Sequence, residues 1–214
     1  MKIHDISLTT SPRTLTWEGK EAGFSLRWAE RLGRRGAVCN VSVLTDGTHT
    51  GTHLDAPLHF VPGGASVEAL DVNTLVGPAR VVEVYGRDRI TAADLERAGI
   101  GAGVERILFK TDNTRRGRLR DGVFHRDYVA VAPSGAQWLV TRGVRLVGVD
   151  YLSVGPYGDD NTETHRILLG AGVDVVETLV LDAVGAGDYT LVALPPKFAG
   201  LEGSPCRCLL IETQ

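Results

Sequence analysis

Cysteine is scarce in this chain: there are three in 214 residues, and they make no framework. Cys206 and Cys208 stand two apart, which is neither the Cys-x-x-Cys spacing of a zinc site nor a sensible route to a mutual disulfide, and Cys39 is left over. All three are expected to behave as small buried hydrophobes. An excess of positive charge is also missing, since 23 Lys and Arg against 26 Asp and Glu leave a net charge of -3. That balance excludes a broad basic face for nucleic acid and a polybasic membrane patch, so the expected partner is a small molecule. Long apolar runs are absent: the longest apolar region, Val173 to Val184, is broken by Asp174, Glu177 and Asp182. Met1 to Pro12 has neither the basic start nor the apolar core of a secretory signal, and the expected location is the cytoplasm. Internal repeats, low-complexity tracts and shifts of composition are lacking too. Residues 1–214 are therefore expected to form a single domain, and 43% hydrophobic residues suffice for a substantial core.

What the chain does have is a concentration of histidine. His49, His53 and His59 are three of the six histidines, and with Asp55 they fall within a dozen residues. Their shared parity with Gly51 and Pro57 would line them on one face of extended backbone. A straight strand, however, holds the Cα atoms of His49 and His53 about 13 Å apart. That is too far for two imidazoles that must each come within about 2.1 Å of one ion. The segment is therefore expected to curl, with Gly51 supplying the unusual backbone angles and Pro57 interrupting any ladder. A helix would also bring His49 and His53 together, but the Gly, the Pro and three threonines disfavour one. Imidazole suits zinc and neighbouring divalent metals, and a nearby Asp can bind one ion or bridge two.

Elsewhere the pattern predicts an α/β layered domain. Strands are expected over Lys2–Leu8, Phe24–Trp28, Ala37–Leu44, Pro78–Tyr85, Glu105–Thr111, Arg145–Asp150, Asp174–Asp182, Tyr189–Leu194 and Arg207–Ile211. Helices are expected from the Thr91 cap to about Ala98, from a Ser134 cap to about Arg142, and over Thr162–Leu169. The stretch Asp112–Asp121, with Arg115, Arg116, Arg118 and Arg120, reads as a solvated loop or as a rim for an anion. Trp17, in a turn-rich connection, reads as core filler, interface residue or wall of an aromatic pocket. His165 alone reads as a surface histidine or a ligand. Glu177, flanked by valines and leucines, is either an ordinary solvent-facing residue or a buried carboxylate that a metal ion would offset.

The run His-x-Gly-Thr-His-x-Asp-Ala-Pro-x-His-Phe, His49 to Phe60, resembles the bacterial kynurenine formamidases within the wider group of cyclase-like metal-dependent hydrolases. The likeness continues through Val147–Asp150, His165, Glu177, Gly187–Tyr189 and Leu194–Phe198. It departs at Trp17-Glu18-Gly19-Lys20, where the formamidases usually read Trp-Pro-Gly-Asp, and around Thr111–Tyr128. The resemblance implies a swivelling β/β/α fold with a mixed central sheet, a homodimer or homotetramer, and two metal ions, zinc first and manganese as the alternative. It implies that His49, His53 and Asp55 hold the first ion, that Asp55 and His165 hold the second, and that Glu177 contacts both. His59 is then the general acid/base and Trp17 packs against an aryl substrate. The implied reaction is hydrolysis of N-formyl-L-kynurenine to kynurenine and formate. Its alternatives are hydrolysis of another cyclic or aryl amide, as by isatin hydrolases, and non-catalytic metal or ligand binding on the same scaffold.

Overall fold

A computed structural model describes residues 1–21, 23–34 and 36–212. In chain order the strands are β1 Ile3–Asp5, β2 Ser25–Glu30, β3 Val41–Thr45, β4 His53–Asp55, β5 Val76–Val84, β6 Arg89–Ile90, β7 Arg106–Thr111, β8 Ala130–Val131, β9 Leu146–Val149, β10 Asp174–Glu177, β11 Gly187–Leu194, β12 Gly203–Pro205 and β13 Arg207–Glu212. The helices are α1 Val72–Leu75, α2 Ala92–Arg97, α3 Asp112–Arg115, α4 Pro133–Thr141 and α5 Asp159–Gly170.

Nine strands form one mixed sheet in the order β1-β13-β11-β5-β7-β9-β10-β4-β12. Its centre, β5-β7-β9-β10, is parallel, and the flanking pairs are antiparallel. β12 lies at one edge and β13 near the other, yet only Cys206 separates them in the chain, so the sheet must curl back on itself. The isolated bridge Ser7–Leu179 and the bond from the Cys206 amide to the Thr52 carbonyl, 3.0 Å, hold the curl closed.

Alternation along the central strands fills two cores. Val82, Val84, Ile107, Phe109, Val147, Val149 and Val175 face α2, α4 and α5, whereas Val81, Leu108, Leu146, Val176, Leu191 and Leu210 fill the inside of the curl. Strands buried on both faces explain the near-continuous apolar runs at Pro78–Tyr85 and Glu105–Thr111. Gly148 faces the inside, where a Cβ would meet Leu108 Cδ2 at 2.3 Å and Leu179 Cδ1 at 2.6 Å.

The α/β class and mixed sheet match expectation, and so does the capping box at Thr91 and Asp94. Several local expectations need correction. Ser134 is not a cap, because Pro133 takes the first helical position and Ala132 precedes it. The third long helix starts earlier than Thr162, with Asp159 and Asp160 in its first turn, where carboxylates favour the helix dipole. The strand from Asp174 stops at Glu177 because Thr178 adopts φ 61°. The stretch Asp112–Asp121 is not simply solvated: it opens with α3, and Arg118 is buried and bonded to Asp127 at 2.7 Å. Cys39 is exposed, because it lies in the connection of the hairpin β2–β3. That hairpin is exposed along both strands and carries Leu26, Trp28, Val41, Val43 and Leu44 on its surface. Cys206 and Cys208 are buried as expected, with sulfurs 3.4 Å apart.

Candidate metal centre

The curl expected of the histidine stretch is present. Gly51 has φ 68°, and Thr10 Oγ1 would lie 2.5 Å from a Cβ there, so the turn requires glycine. The chain then enters β4, which pairs with β10 in the register His53–Glu177, Leu54–Val176 and Asp55–Val175. Register partners share a face. His53, Asp55 and Glu177 thus point to the face carrying Val175, the one covered by α5, and α5 brings His165 onto it. Pro57 opens a single 3-10 turn, Pro57–His59, which redirects the chain and returns His59 to His49 with ring centroids 4.1 Å apart.

The structure brings all six proposed centre residues together. His53 Nε2 lies 3.4 Å from Asp55 Oδ1 and 3.3 Å from Glu177 Oε2. His165 Nε2 is 3.3 Å from Glu177 Oε1 and 3.7 Å from Asp55 Oδ2, and His49 Nδ1 is 2.9 Å from Asp55 Oδ1. Two groups of donor atoms are compact enough for an ion: His53 with Asp55 and Glu177, and His49 with Asp55 and His59. Asp55 belongs to both. The grouping differs from the one the resemblance implied: His49 and His53, expected on one ion, fall in separate groups, His165 is in neither, and His59 joins His49 and Asp55, within reach of an ion as well as of a substrate.

The ring orientations suit metal binding. His53 Nδ1–H donates to the Gly51 carbonyl at 2.8 Å and His165 Nδ1–H to the Asn161 carbonyl at 2.8 Å, which leaves each Nε2 facing the carboxylates. His49 is reversed, with Nδ1 toward Asp55 and Nε2 3.4 Å from Glu202 Oε1. The Val154 amide donates to Glu177 Oε1 at 2.6 Å. Buried Nε2 of His49, Nε2 of His53 and Oδ2 of Asp55 have no hydrogen-bond partner among the described residues. Native interiors rarely tolerate such orphans. Ligand atoms around a tetrahedral ion with bonds of about 2.1 Å are about 3.4 Å apart, which is the spacing found around His53. The residues present therefore fit a metal ion.

Electrostatics point the same way. His53, Asp55, His165 and Glu177 are almost completely buried. Burial alone would push the imidazoles of His53 and His165 down, but Asp55 and Glu177 hold His53 well above its ordinary value, and Glu177 raises His165. Burial alone would raise Asp55, yet His49 and His53 keep it well below the carboxylate range. Two ionised, buried carboxylates demand positive charge beside them, and a divalent cation supplies it in place of protons. His59 differs: burial dominates and lowers its pKa, so it is neutral at pH 7.

The centre opens into a cleft of roughly 200 Å³ bounded by Trp17, His49, His59, Phe60, Ser153 and Asn161, with Leu152, His165 and Glu177 also on its surface. Trp17 sits in an aromatic group, 4.9 Å from Phe124, 6.3 Å from Tyr128 and stacked on Tyr157 at 6.0 Å. It is thus both a wall of the cleft and a member of a satellite core. Glu202, Asn161, Ser153 and the aromatic partners of Trp17 are not foreseen in the sequence, because nothing in their spacing ties them to the histidine stretch. Asp150, within the expected strand Arg145–Asp150, is buried and accepts from the amides and hydroxyls of Thr111 and Thr114.

Curled mixed sheet and histidine-carboxylate centre define a metal-dependent hydrolase class, and the comparisons name it. The Cyclase family model matches residues 4–156, and the chain belongs to that family. It is 39% identical over 217 residues to Cyclase-like protein 2 of Arabidopsis thaliana, covering 99% of this chain and 79% of that one. It is 36% identical over 207 residues to the kynurenine formamidase of Bacillus thuringiensis (strain Al Hakam), covering 96% of this chain and 95% of that one. The solved structure of a predicted metal-dependent hydrolase from Bacillus stearothermophilus superposes with a TM-score of 0.83 at 33% identity, covering 98% and 97% of the two chains. No helix among the described residues is long and apolar enough to cross a membrane.

Proposed function

We propose that this chain is a metal-dependent amide hydrolase whose first-choice substrate is an N-formyl aryl amine, N-formyl-L-kynurenine, cleaved to kynurenine and formate. The observation that carries the reading is the placement of an aromatic wall, Trp17 with Phe60, on the same cleft as the buried His/Asp/Glu centre. His49, His53, Asp55, His165 and Glu177 would hold zinc or manganese, with Asp55 shared between two ions. A bound divalent ion lowers the pKa of water and polarises a carbonyl. The aryl ring packs on Trp17, which leaves the formyl group toward the histidines. His59, neutral at pH 7, takes a proton as water adds to the formyl carbon. It then delivers that proton to the aryl nitrogen as the C–N bond breaks, a role worth about 100-fold to 10,000-fold. Formate and the free amine leave.

The exposed apolar hairpin β2–β3 supports assembly as a homodimer or homotetramer, since an unsupported two-stranded sheet is marginal in water. The test of function is turnover by the metal-loaded protein of N-formylkynurenine, formanilides, isatin and simple lactams. Preference for the formyl aryl amines supports the reading. Preference for isatin transfers it to cyclic amides, and tight metal binding with no turnover of any of them overturns it.

A further inference from the structure

The 3-10 turn Trp17–Gly19 holds an anomaly. Glu18 has φ 51° and ψ 13°, in the left-handed region, and Thr178 is the other non-glycine residue with positive φ among the described residues. A side chain in that region is strained and persists only where the surroundings hold it. What holds it is a set of three polar contacts. The Glu18 carboxylate accepts from Lys20 Nζ at 2.5 Å, from the Tyr157 hydroxyl at 2.6 Å and from Arg126 Nη2 at 2.8 Å. Lys20 first and the Tyr157 hydroxyl next keep its carboxyl down at about 2, so it is ionised throughout the working range.

The partners also touch one another. The Arg126 guanidinium lies 4.8 Å from the centroid of the Tyr157 ring, and Tyr157 is the ring on which Trp17 stacks, at 6.0 Å and 25°. The residue following Trp17 therefore grips the ring that Trp17 leans on. Core packing does not impose this circuit, since the side chains of Lys20 and Arg126 are mostly exposed. Trp17 faces the cleft, whereas Glu18 is absent from its lining.

We infer that Glu18 is a positioning residue: by clasping Tyr157, Arg126 and Lys20 it fixes the Trp17 indole as the aryl-binding wall of the cleft. Its catalytic consequence rests on the proposed aryl-amide activity, but its structural content does not. Because Glu18 acts on the wall and not on the histidines, its loss weakens binding of an aryl substrate and leaves the chemical step intact.

The test uses the metal-loaded full chain carrying 5-fluorotryptophan, with the three tryptophan resonances assigned by single Trp→Phe variants. In Glu18→Ala the Trp17 resonance is expected to shift and become accessible to a paramagnetic solvent probe, while those of Trp28 and Trp138 stay in place. Glu18→Gln, which keeps an acceptor for Tyr157, should show a partial change, and Tyr157→Phe an intermediate one. KM for a formanilide should rise by about 3-fold to 10-fold, the scale of a weakened aromatic contact, with kcat within about twofold of the parent. A Trp17 resonance unmoved in all three variants overturns the proposal. So does a fall in kcat at constant KM, or a rise in KM without movement of Trp17, which would mean direct contact between Glu18 and substrate. Movement of Trp17 in a protein that turns over no aryl formamide upholds the clasp and removes the aryl-amide reading instead.

Discussion

His53 and Glu177 are direct register partners on the adjacent antiparallel strands β4 and β10, with Nε2 and Oε2 3.3 Å apart. The sheet thus sets the spacing of two donors before any ion arrives. A bound ion should stabilise the fold, because it binds the native arrangement and finds no such spacing in the unfolded chain. Chelation is expected to abolish activity and to lower the thermal midpoint, and Zn²⁺ or Mn²⁺ should restore both. Undiminished turnover by protein shown by elemental analysis to be metal-free would end the metal reading.

Trp17 contributes to a satellite core and to the cleft, so the two contributions can be weighed. Trp17→Ala should raise KM for aryl substrates about 3-fold to 10-fold or more through lost stacking area. Because Trp17 is half-buried and its partners Phe124, Tyr128 and Tyr157 also pack on one another, the accompanying loss of stability should be small. Steady-state kinetics beside thermal melts decides: a large fall in midpoint with KM unchanged would make Trp17 a core filler.

Gly203 gives a prediction that sequence alone did not offer. It pairs in register with Asp55, and a Cβ on it would lie 2.5 Å from Cε1 of His49 and 3.0 Å from its Nε2. Gly203→Ala must displace the His49 ring, whose Nδ1 now lies 2.9 Å from Asp55 Oδ1. Metal affinity should drop by about 10-fold to 100-fold, the usual effect of disturbing a ligand's support, while the metal-free protein still folds. Titration calorimetry with Zn²⁺ would expose the error if affinity were unchanged.

The motif from His49 to Phe60 was legible because its donors are local, and Gly51 and Pro57 announce how the backbone must bend to gather them. The central strands were legible because burial on both faces leaves continuous apolar runs. The closure of the sheet was not, since it depends on where β12 and β13 fall among strands distant in the chain. Thr178 ended a strand that composition would have continued, through a backbone angle held by tertiary contact, its amide donating to the Tyr151 carbonyl at 2.8 Å. Arg118 looked solvated among its arginine neighbours, and only the fold shows it buried against Asp127.

Asp174 predicts a pH dependence of stability. Burial raises its carboxyl to about 7, with Arg145 opposing and Asp71 adding to the rise. The unfolded chain releases this proton near 3.8 and the folded chain near 7, so the folded state binds more protons between them and stability falls as pH rises through that window. At about 1.4 kcal/mol per pH unit, the penalty is at most about 4 kcal/mol. Asp174→Asn removes it. The variant should be little different from the parent at pH 4 and more stable by 1 kcal/mol or more (on the order of that ceiling's fraction left after side-chain relaxation) at pH 8. Urea midpoints of both proteins across pH 4 to 8 check this, and a constant difference would show that Asp174 does not titrate in the window.

The roles along the histidine stretch separate by metal content. His59 stacks on His49 at 4.1 Å and belongs to one compact donor group, so proximity alone does not tell a proton carrier from a ligand. Its surroundings differ from those of His53: burial is the largest influence on His59 and lowers its pKa, whereas His53 is held high by two carboxylates that a metal ion would satisfy, and the role proposed for His59 is the carrier's. His59→Asn should therefore keep its metal and lose kcat by about 100-fold or more. His53→Asn should lose both, because it removes a donor from the buried group of His53, Asp55 and Glu177. The parent's kcat/KM should also show an acid limb below the ordinary imidazole value of about 6.5, where His59 takes up its proton, and His59→Asn should lack it. Elemental analysis of the two purified variants is the deciding measurement. Equal depletion of metal in both would make His59 a ligand and require another group to carry the proton.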